Sequence, residues 1–217
     1  MIGQMGAAHL SFRAMKDCGF YKLCGSGTGQ GFTPKPNWAV WAILATWPDL
    51  KTAQDRVANA PVYRRWARRS DDVYTIFLNP TSARGTWSGK TPFQAGTAPV
   101  SGPIAALTRA SVKPSTMLKF WRRVPDISAA IGMDQNVAFK IGIGDVPLLH
   151  QVTFSVWPDA ASMAHFARGS GPHAQAIKAV REGDWFAEEL YARFAVAATR
   201  GTWGGRDPLS QFESLAA

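Results

Sequence analysis

The chain has 217 residues, 46% apolar and 18% charged, with a formal net charge of +9. That length can bury a full core and that balance is globular, which excludes a disordered or low-complexity chain. No apolar run reaches the roughly 18 residues of a spanning helix, Met1–Met5 opens no signal peptide, and Cys18 and Cys24 are too few for a disulfide framework. The expected setting is therefore the reducing cytoplasm, with both thiols buried.

The apolar spacing predicts a helix from Met1 to about Lys16, then a short strand over Phe20–Cys24. A glycine-rich loop follows from Gly25 to Pro34. Gly25, Gly27 and Gly29 lack the spacing and the Gly-Lys-Ser/Thr ending of nucleotide loops. Two readings stay open for them: a flexible roof over a cofactor pocket, its amides toward an acid group, or an ordinary connection with left-handed turns.

Trp38–Trp47 is predicted as a buried strand, apolar on both faces. Asp49 caps the next helix, which breaks near Ala60-Pro61 and resumes to Arg69, and Val73–Leu78 forms a strand. Thr91–Gly102, rich in Pro, Gly and Thr, is a linker. Beyond it, strands are predicted at Pro103–Ala110, Asn136–Gly142, Leu148–Trp157 and near Tyr191–Ala198, with helices over Ser115–Arg123, 159–167 and 173–182.

The chain repeats itself. Trp47-Pro48-Asp49 recurs 110 residues later as Trp157-Pro158-Asp159, and Gly85-Thr86-Trp87-Ser88-Gly89-Lys90 recurs 116 residues later as Gly201-Thr202-Trp203-Gly204-Gly205-Arg206. The second run has the order β-α-β-β-α-β, the ferredoxin-like unit. The expected fold is α+β, a duplicated ferredoxin-like body of the dimeric α+β barrel type. Residues 1–90 form copy one, 91–102 the linker and 103–217 copy two. Matching Lys22 to Lys140 leaves the first strand of copy one missing, so an upstream start is expected.

Comparing the copies singles out two imidazoles. His150 stands where copy one has Val40, and His173 where it has Val62, whereas His165 answers to polar Asp55. His150 shares a strand face with Val152, Phe154 and Val156. His173 shares a helix face with Ile177 and Val180, and Pro172 suits the first helical position. Taken singly, each reads first as a satisfied core histidine; together, both replacing valine on apolar faces of one half, they leave the core and ligand readings level. No Ser/His/Asp set and no zinc spacing accompanies them, so a metal here would be one needing a single protein ligand, with heme the obvious case.

Tyr63-Arg64-Arg65-Trp66-Ala67-Arg68-Arg69 and Lys119-Phe120-Trp121-Arg122-Arg123 mix cations with aromatics. They suit an anionic membrane surface or, on charge alone, nucleic acid. A solvated helix face with arginine stems over apolar surface is the plain alternative. Nucleic acid is not expected as a partner.

The stretches Phe20–Pro34, Ala42–Asp49, Pro103–Ala110, His150–Asp159, Gly171-Pro172-His173 and Glu188–Phe194 resemble the spheroidene monooxygenase family of purple phototrophic bacteria, almost end to end. The resemblance implies a heme- and O2-dependent oxygenase that installs a keto group at C-2 of spheroidene or a related acyclic carotene. Two hydroxylations of one methylene and loss of water would give spheroidenone, with electrons from a ferredoxin-type donor. It implies an additional N-terminal strand as well. Other heme proteins with duplicated ferredoxin-like folds hold iron through a helix-borne imidazole. By that likeness His173 is the expected axial ligand, with His150 as alternative ligand or as a catalytic residue beside the iron. The competing class is a non-catalytic heme or carotenoid carrier. The expected location is cytoplasmic, with peripheral contact to the photosynthetic membrane.

Overall fold

The structure is a computed structural model that describes residues 2–29, 33–96, 102–122, 137–168 and 183–213. Helix α1 (Ile2–Ala14) leads into strands β1 (Phe20–Gly27) and β2 (Pro36–Thr46), helices α2 (Leu50–Asn59) and α3 (Pro61–Ala67), and strand β3 (Tyr74–Gly85). After β4 (Ile104–Val112), a tight turn at Pro114–Thr116 runs into helical residues 117–122. Then come β5 (Phe139–Gly144), β6 (His150–Trp157), α4 (Ala160–Arg168), β7 (Phe186–Gly201) and a short helix, Ser210–Glu213.

Local chemistry explains the boundaries. Asp49 Oδ1 accepts from Thr52 N at 2.7 Å and Asp159 Oδ1 from Ser162 N at 2.7 Å, so each recurring Trp-Pro-Asp ends a strand and caps a helix. Pro61 opens α3 at a position where its missing N–H costs nothing.

Among the described residues seven strands form one antiparallel sheet in the order β2-β1-β5-β6-β4-β7-β3. Its second part, β4 to β7, has the β-helix-β-β-α-β succession. The sheet is curled. Phe20 on β1 touches Trp87, just beyond β3, at 5.7 Å between ring centroids, and Tyr74 on β3 touches Phe139 on β5 at 5.6 Å. In a flat sheet those strands would stand roughly 19–24 Å apart.

Strand alternation then assigns the two faces. The inner face carries Phe20, Cys24, Leu107, Val152, Val156, Leu190 and Phe194, the main core. The outer face of β1 and β2 is covered by α1 and α3 through Phe12, Ala8, Val62 and Trp66, all buried.

Four expectations need correction. The glycine-rich stretch begins later than expected: β1 runs through Gly27, with a register shift between Gly25 and Ser26. Gly25 and Gly27 are therefore sheet residues, and Gly29 alone of the three has a positive φ, 65°. Strand β2 is not buried on both faces, because it ends the sheet; Trp38 near its start is 62% exposed. Strand β3 continues past Leu78 to Gly85, because Asn79-Pro80 does not turn the chain. Pro80 is tolerated on an edge strand beside a bulge, where its missing N–H breaks no ladder. Strand β7 extends from Phe186 to Gly201 because it pairs with β4 on one side and β3 on the other.

Candidate functional site

At one end of the inner face charged side chains take core-phase positions. There Lys22 is in phase with Phe20 and Cys24, Arg109 with Ala105 and Leu107, Glu188 with Leu190 and Ala192, and His150 with Val152. Register brings them together: Ser111 on β4 pairs with His150 on β6 and with Glu188 on β7. Asp145, in the turn between β5 and β6, completes the set.

His150 Nδ1 and Asp145 Oδ1 lie 2.9 Å apart, and Lys22 Nζ donates to Asp145 Oδ2 at 2.8 Å. Burial pushes the Asp145 carboxyl up, but the Lys22 hydrogen bond and charge, with His150 behind them, outweigh it and hold the carboxyl below its ordinary range. An ionised carboxylate only accepts, so Nδ1 carries the proton in this contact, and whenever the ring is neutral the lone pair is on Nε2. His150 is thereby held in one tautomer, with its side chain 24% exposed.

Glu188 sits alongside. It accepts from Gly89 N at 2.7 Å, Thr86 Oγ1 at 2.8 Å and Ser88 N at 3.0 Å, and it pairs with Arg109, which also donates to Ser111 Oγ at 2.6 Å. Burial opposes the charge, yet these donors and the Arg109 guanidinium pull the Glu188 carboxyl down to about 2. The turn that Glu188 grips is the first Gly-Thr-Trp hexapeptide. Its Trp87 is fully buried, 5.6 Å from Lys22 Nζ and 5.7 Å from Arg109 Cζ, cation–π range for both.

The second hexapeptide repeats the device. Asp72 accepts from Thr202 Oγ1 and from Gly205 N at 3.1 Å. Thr86 N donates to Glu189 O at 2.8 Å and Thr202 N to Val73 O at 3.0 Å. Asp72 and Glu188, like Val73 and Glu189, stand 116 residues apart, the same offset as the hexapeptides. Sequence comparison had not paired them.

The residues singled out from the sequence fall as follows. His150 is in the cluster just described. His173 lies outside the described residues. His165 is exposed, as its polar counterpart suggested. Gly25 and Gly27 lie in β1 at a distance in sequence from Lys22 that places them further along the strand, and Thr28 N bonds within the turn, to Lys35 O at 2.9 Å and Thr33 Oγ1 at 3.0 Å. Cys18 is partly buried, its thiol pushed up to about 11 by burial and then by Asp17; Cys24 is fully buried and its thiol is pushed up by burial. Trp66 belongs to the core beneath α3, not to a docking face, so the first basic cluster presents arginines without its tryptophan. The signal that would have found Lys22 and Arg109 is a charge at a core-phase position of an apolar strand; Glu188 precedes the strand the sequence suggests and carries no such signal.

Comparison with known proteins gives this cluster a context. No family model matches the chain. It is 56% identical over 194 residues to a spheroidene monooxygenase of Rhodobacter capsulatus, covering 88% of this chain and 80% of that protein. The chain belongs to the spheroidene monooxygenase family. A Cereibacter sphaeroides member is 55% identical over 214 residues, 97% of this chain, and the chain spans 66% of that protein's length. A Rubrivivax gelatinosus member is 33% identical over 187 residues, covering 86% of this chain and 72% of that protein. Among solved structures, an anthrone oxidase-like protein aligns with 93% of this chain and 88% of its own at 11% identity, TM-score 0.37. A conserved Methanosarcina mazei protein aligns with 46% of this family member and 91% of its own chain at 12% identity, TM-score 0.36. No helix among the described residues is long and apolar enough to cross a membrane.

Proposed function

We propose that this chain is a carotenoid monooxygenase that installs a 2-keto group in spheroidene or a related acyclic carotene, using O2, a bound heme and electrons from a ferredoxin-type donor. The observation that carries the reading is identity of 55–56% to two proteins named spheroidene monooxygenase, over most of this chain. A duplicated ferredoxin-like body is part of the same reading. It is supported by the two hexapeptides and their two acid clamps at one common offset, and it leaves the edges of β2 and β3 as the place for the expected additional strand.

The residues present suit heme in one respect. Among the described residues no group of three or more His, Cys, Asp and Glu is set to hold a metal ion, whereas heme brings its own equatorial donors and asks the protein for an imidazole. Heme would supply the redox iron at which O2 is reduced and one oxygen atom is delivered to an unactivated methylene. His173 is the residue that would hold the heme. His150, its tautomer set by Asp145, offers Nε2 as a group that could accept a proton and hand it on. Lys22 keeps Asp145 ionised, and so keeps that tautomer in place.

The test is direct. Purified protein, detergent-dispersed spheroidene, O2 and reduced ferredoxin should yield the 2-ketone. Protein that binds heme and never turns over a carotene would be a carrier. In hemin titrations His173→Ala should lose the Soret band and recover it with added imidazole, while His150→Ala keeps the band and turns over slowly. The opposite pattern would move the ligand to His150, whose Asp145 contact already supplies the second-nitrogen hydrogen bond that ligating imidazoles use.

A further inference from the structure

We infer that the chain docks on an anionic bilayer through a surface built by helical residues 117–122 and the turn before β6, next to the Asp145–His150 pair. The inference rests on the carotenoid reading, because a substrate dissolved in a membrane must be collected from one. Its own basis is geometric. Leu118 is 70% exposed, Leu148 38% and Val146 37%. Trp121 Nε1 donates to Leu148 O at 3.1 Å, which joins the helical residues to the turn as one patch.

Phe120 anchors this patch from behind. It is buried against Val112, with its ring 5.8 Å from Phe186. Helical spacing then turns Leu118 and Arg122 away from it, with Trp121 half-buried at the margin of the patch. Arg122 and Lys119 are both exposed. Apolar side chains bordered by cations are the chemistry of the interface of an anionic leaflet, where the cations are drawn to the negative surface and the apolar groups enter the acyl boundary.

A second observation points the same way. Leu148 has φ of 65°, a strained conformation for a γ-branched residue, and its side chain is exposed. Scattered exposed leucines are ordinary. A strained one, bonded to a half-buried tryptophan and bordered by lysine and arginine, is not explained by folding. The other basic cluster lacks these features: among the described residues of α3 no large apolar side chain is exposed.

The test uses the full chain and vesicles of phosphatidylcholine with or without phosphatidylglycerol. Wild type should sediment with the anionic vesicles and not with the neutral ones. Leu118→Asp combined with Leu148→Asp should reduce the bound fraction about tenfold, with circular dichroism and turnover of detergent-dispersed carotene unchanged. Aspartate tolerates the Leu148 backbone, so the variant should fold. Leu118→Cys labelled with a polarity-sensitive fluorophore should shift to the blue on anionic vesicles, a readout free of any folding defect. Absence of wild-type binding would overturn the inference, as would loss of binding in Arg64→Gln/Arg65→Gln/Arg68→Gln/Arg69→Gln with the leucine variants unaffected. A label that responds to an acidic ferredoxin and not to vesicles would overturn it in favour of a protein partner. Detergent turnover that persists in those cases leaves the carotenoid reading intact; vesicle binding without any turnover supports the docking surface and counts against that reading.

Discussion

Arg109 is 1% exposed and its guanidinium reaches Glu188 and Ser111, while its Nε has no hydrogen-bond partner among the described residues. Removing the Glu188 carboxylate therefore strands a buried positive charge and releases three donors of the Thr86–Gly89 turn at once. Breaking a fully buried pair costs about 3–5 kcal/mol. The Glu188 side chain is still 21% exposed, so solvent screens part of this and Glu188→Gln should cost about 2 kcal/mol in denaturant unfolding at pH 7. The pH dependence has a definite sign. The folded-state pKa of Glu188 is lowered from 4.5 to about 2, so its contribution is complete above 4.5 and is lost as pH falls from 4.5 toward 2. Between those limits the stability of wild type should fall more steeply than that of Glu188→Gln; equal slopes would show that the clamp does not depend on the charge. Lys22 and Arg109 were legible in the sequence, since each is a charge at a core-phase position of a predicted strand; Glu188 was not, because it precedes the strand expected from about Tyr191. Asp145 was not: it lies in a turn, and its Lys22 partner is 123 residues away in the chain.

At the scale of elements, the hexapeptides show why glycine recurs at fixed places. A Cβ on Gly85 would meet Glu189 O at 2.1 Å, and one on Gly201 would meet Val73 O at 2.0 Å; both residues have φ near 90°. Those carbonyls accept the bonds from Thr86 N and Thr202 N that start each turn. Gly89 has φ of 69° and open space around it. Gly85→Ala must push one backbone away from another and should lower the melting temperature severely or prevent folding. Gly89→Ala meets only the left-handed penalty of about 1 kcal/mol. Comparable losses in thermal melts would mean that contact with Glu189 is not what requires Gly85. The helices were legible because Asp49, Asp159 and Pro61 mark their starts in any context. The strand ends were not, because edge position decides them: Pro80 reads as a terminator until β3 is known to end the sheet. Nor could composition show which tryptophan of a basic cluster turns inward. Trp66 does so because α3 covers β1 and β2, while Trp121 stays partly out because Phe120 takes the buried position.

At the scale of the whole molecule, the repeat reading divides the chain near residues 91–102, but the hydrogen bonds do not. Strand β3, before that division, pairs with β7 from Tyr74–Gly201 to Gly85–Leu190, and β1 pairs with β5 at Gly25–Gly144 and Ser26–Ile143. The main core mixes both sides: Phe20, Cys24 and Trp87 pack with Leu107, Val152 and Leu190. The polar end is shared as well, since Lys22 and the Thr86–Gly89 turn come from one side and Asp145, His150, Arg109 and Glu188 from the other. Among the described residues each side relies on the other to satisfy its buried charges and cover its inner face, so unfolding should be a single transition and not two. Residues 103–217 expressed alone should aggregate or remain loosely packed, with Arg109 and Glu188 lacking the turn they hold. Co-expression with residues 1–102 should restore a soluble one-to-one complex, since the β3–β7 and β1–β5 pairings supply a long complementary seam. Size-exclusion chromatography and near-ultraviolet circular dichroism on the separate and combined segments check this. If residues 103–217 alone give a monomer with native tertiary signal, the second part is an independent domain and the shared sheet contributes little to its stability.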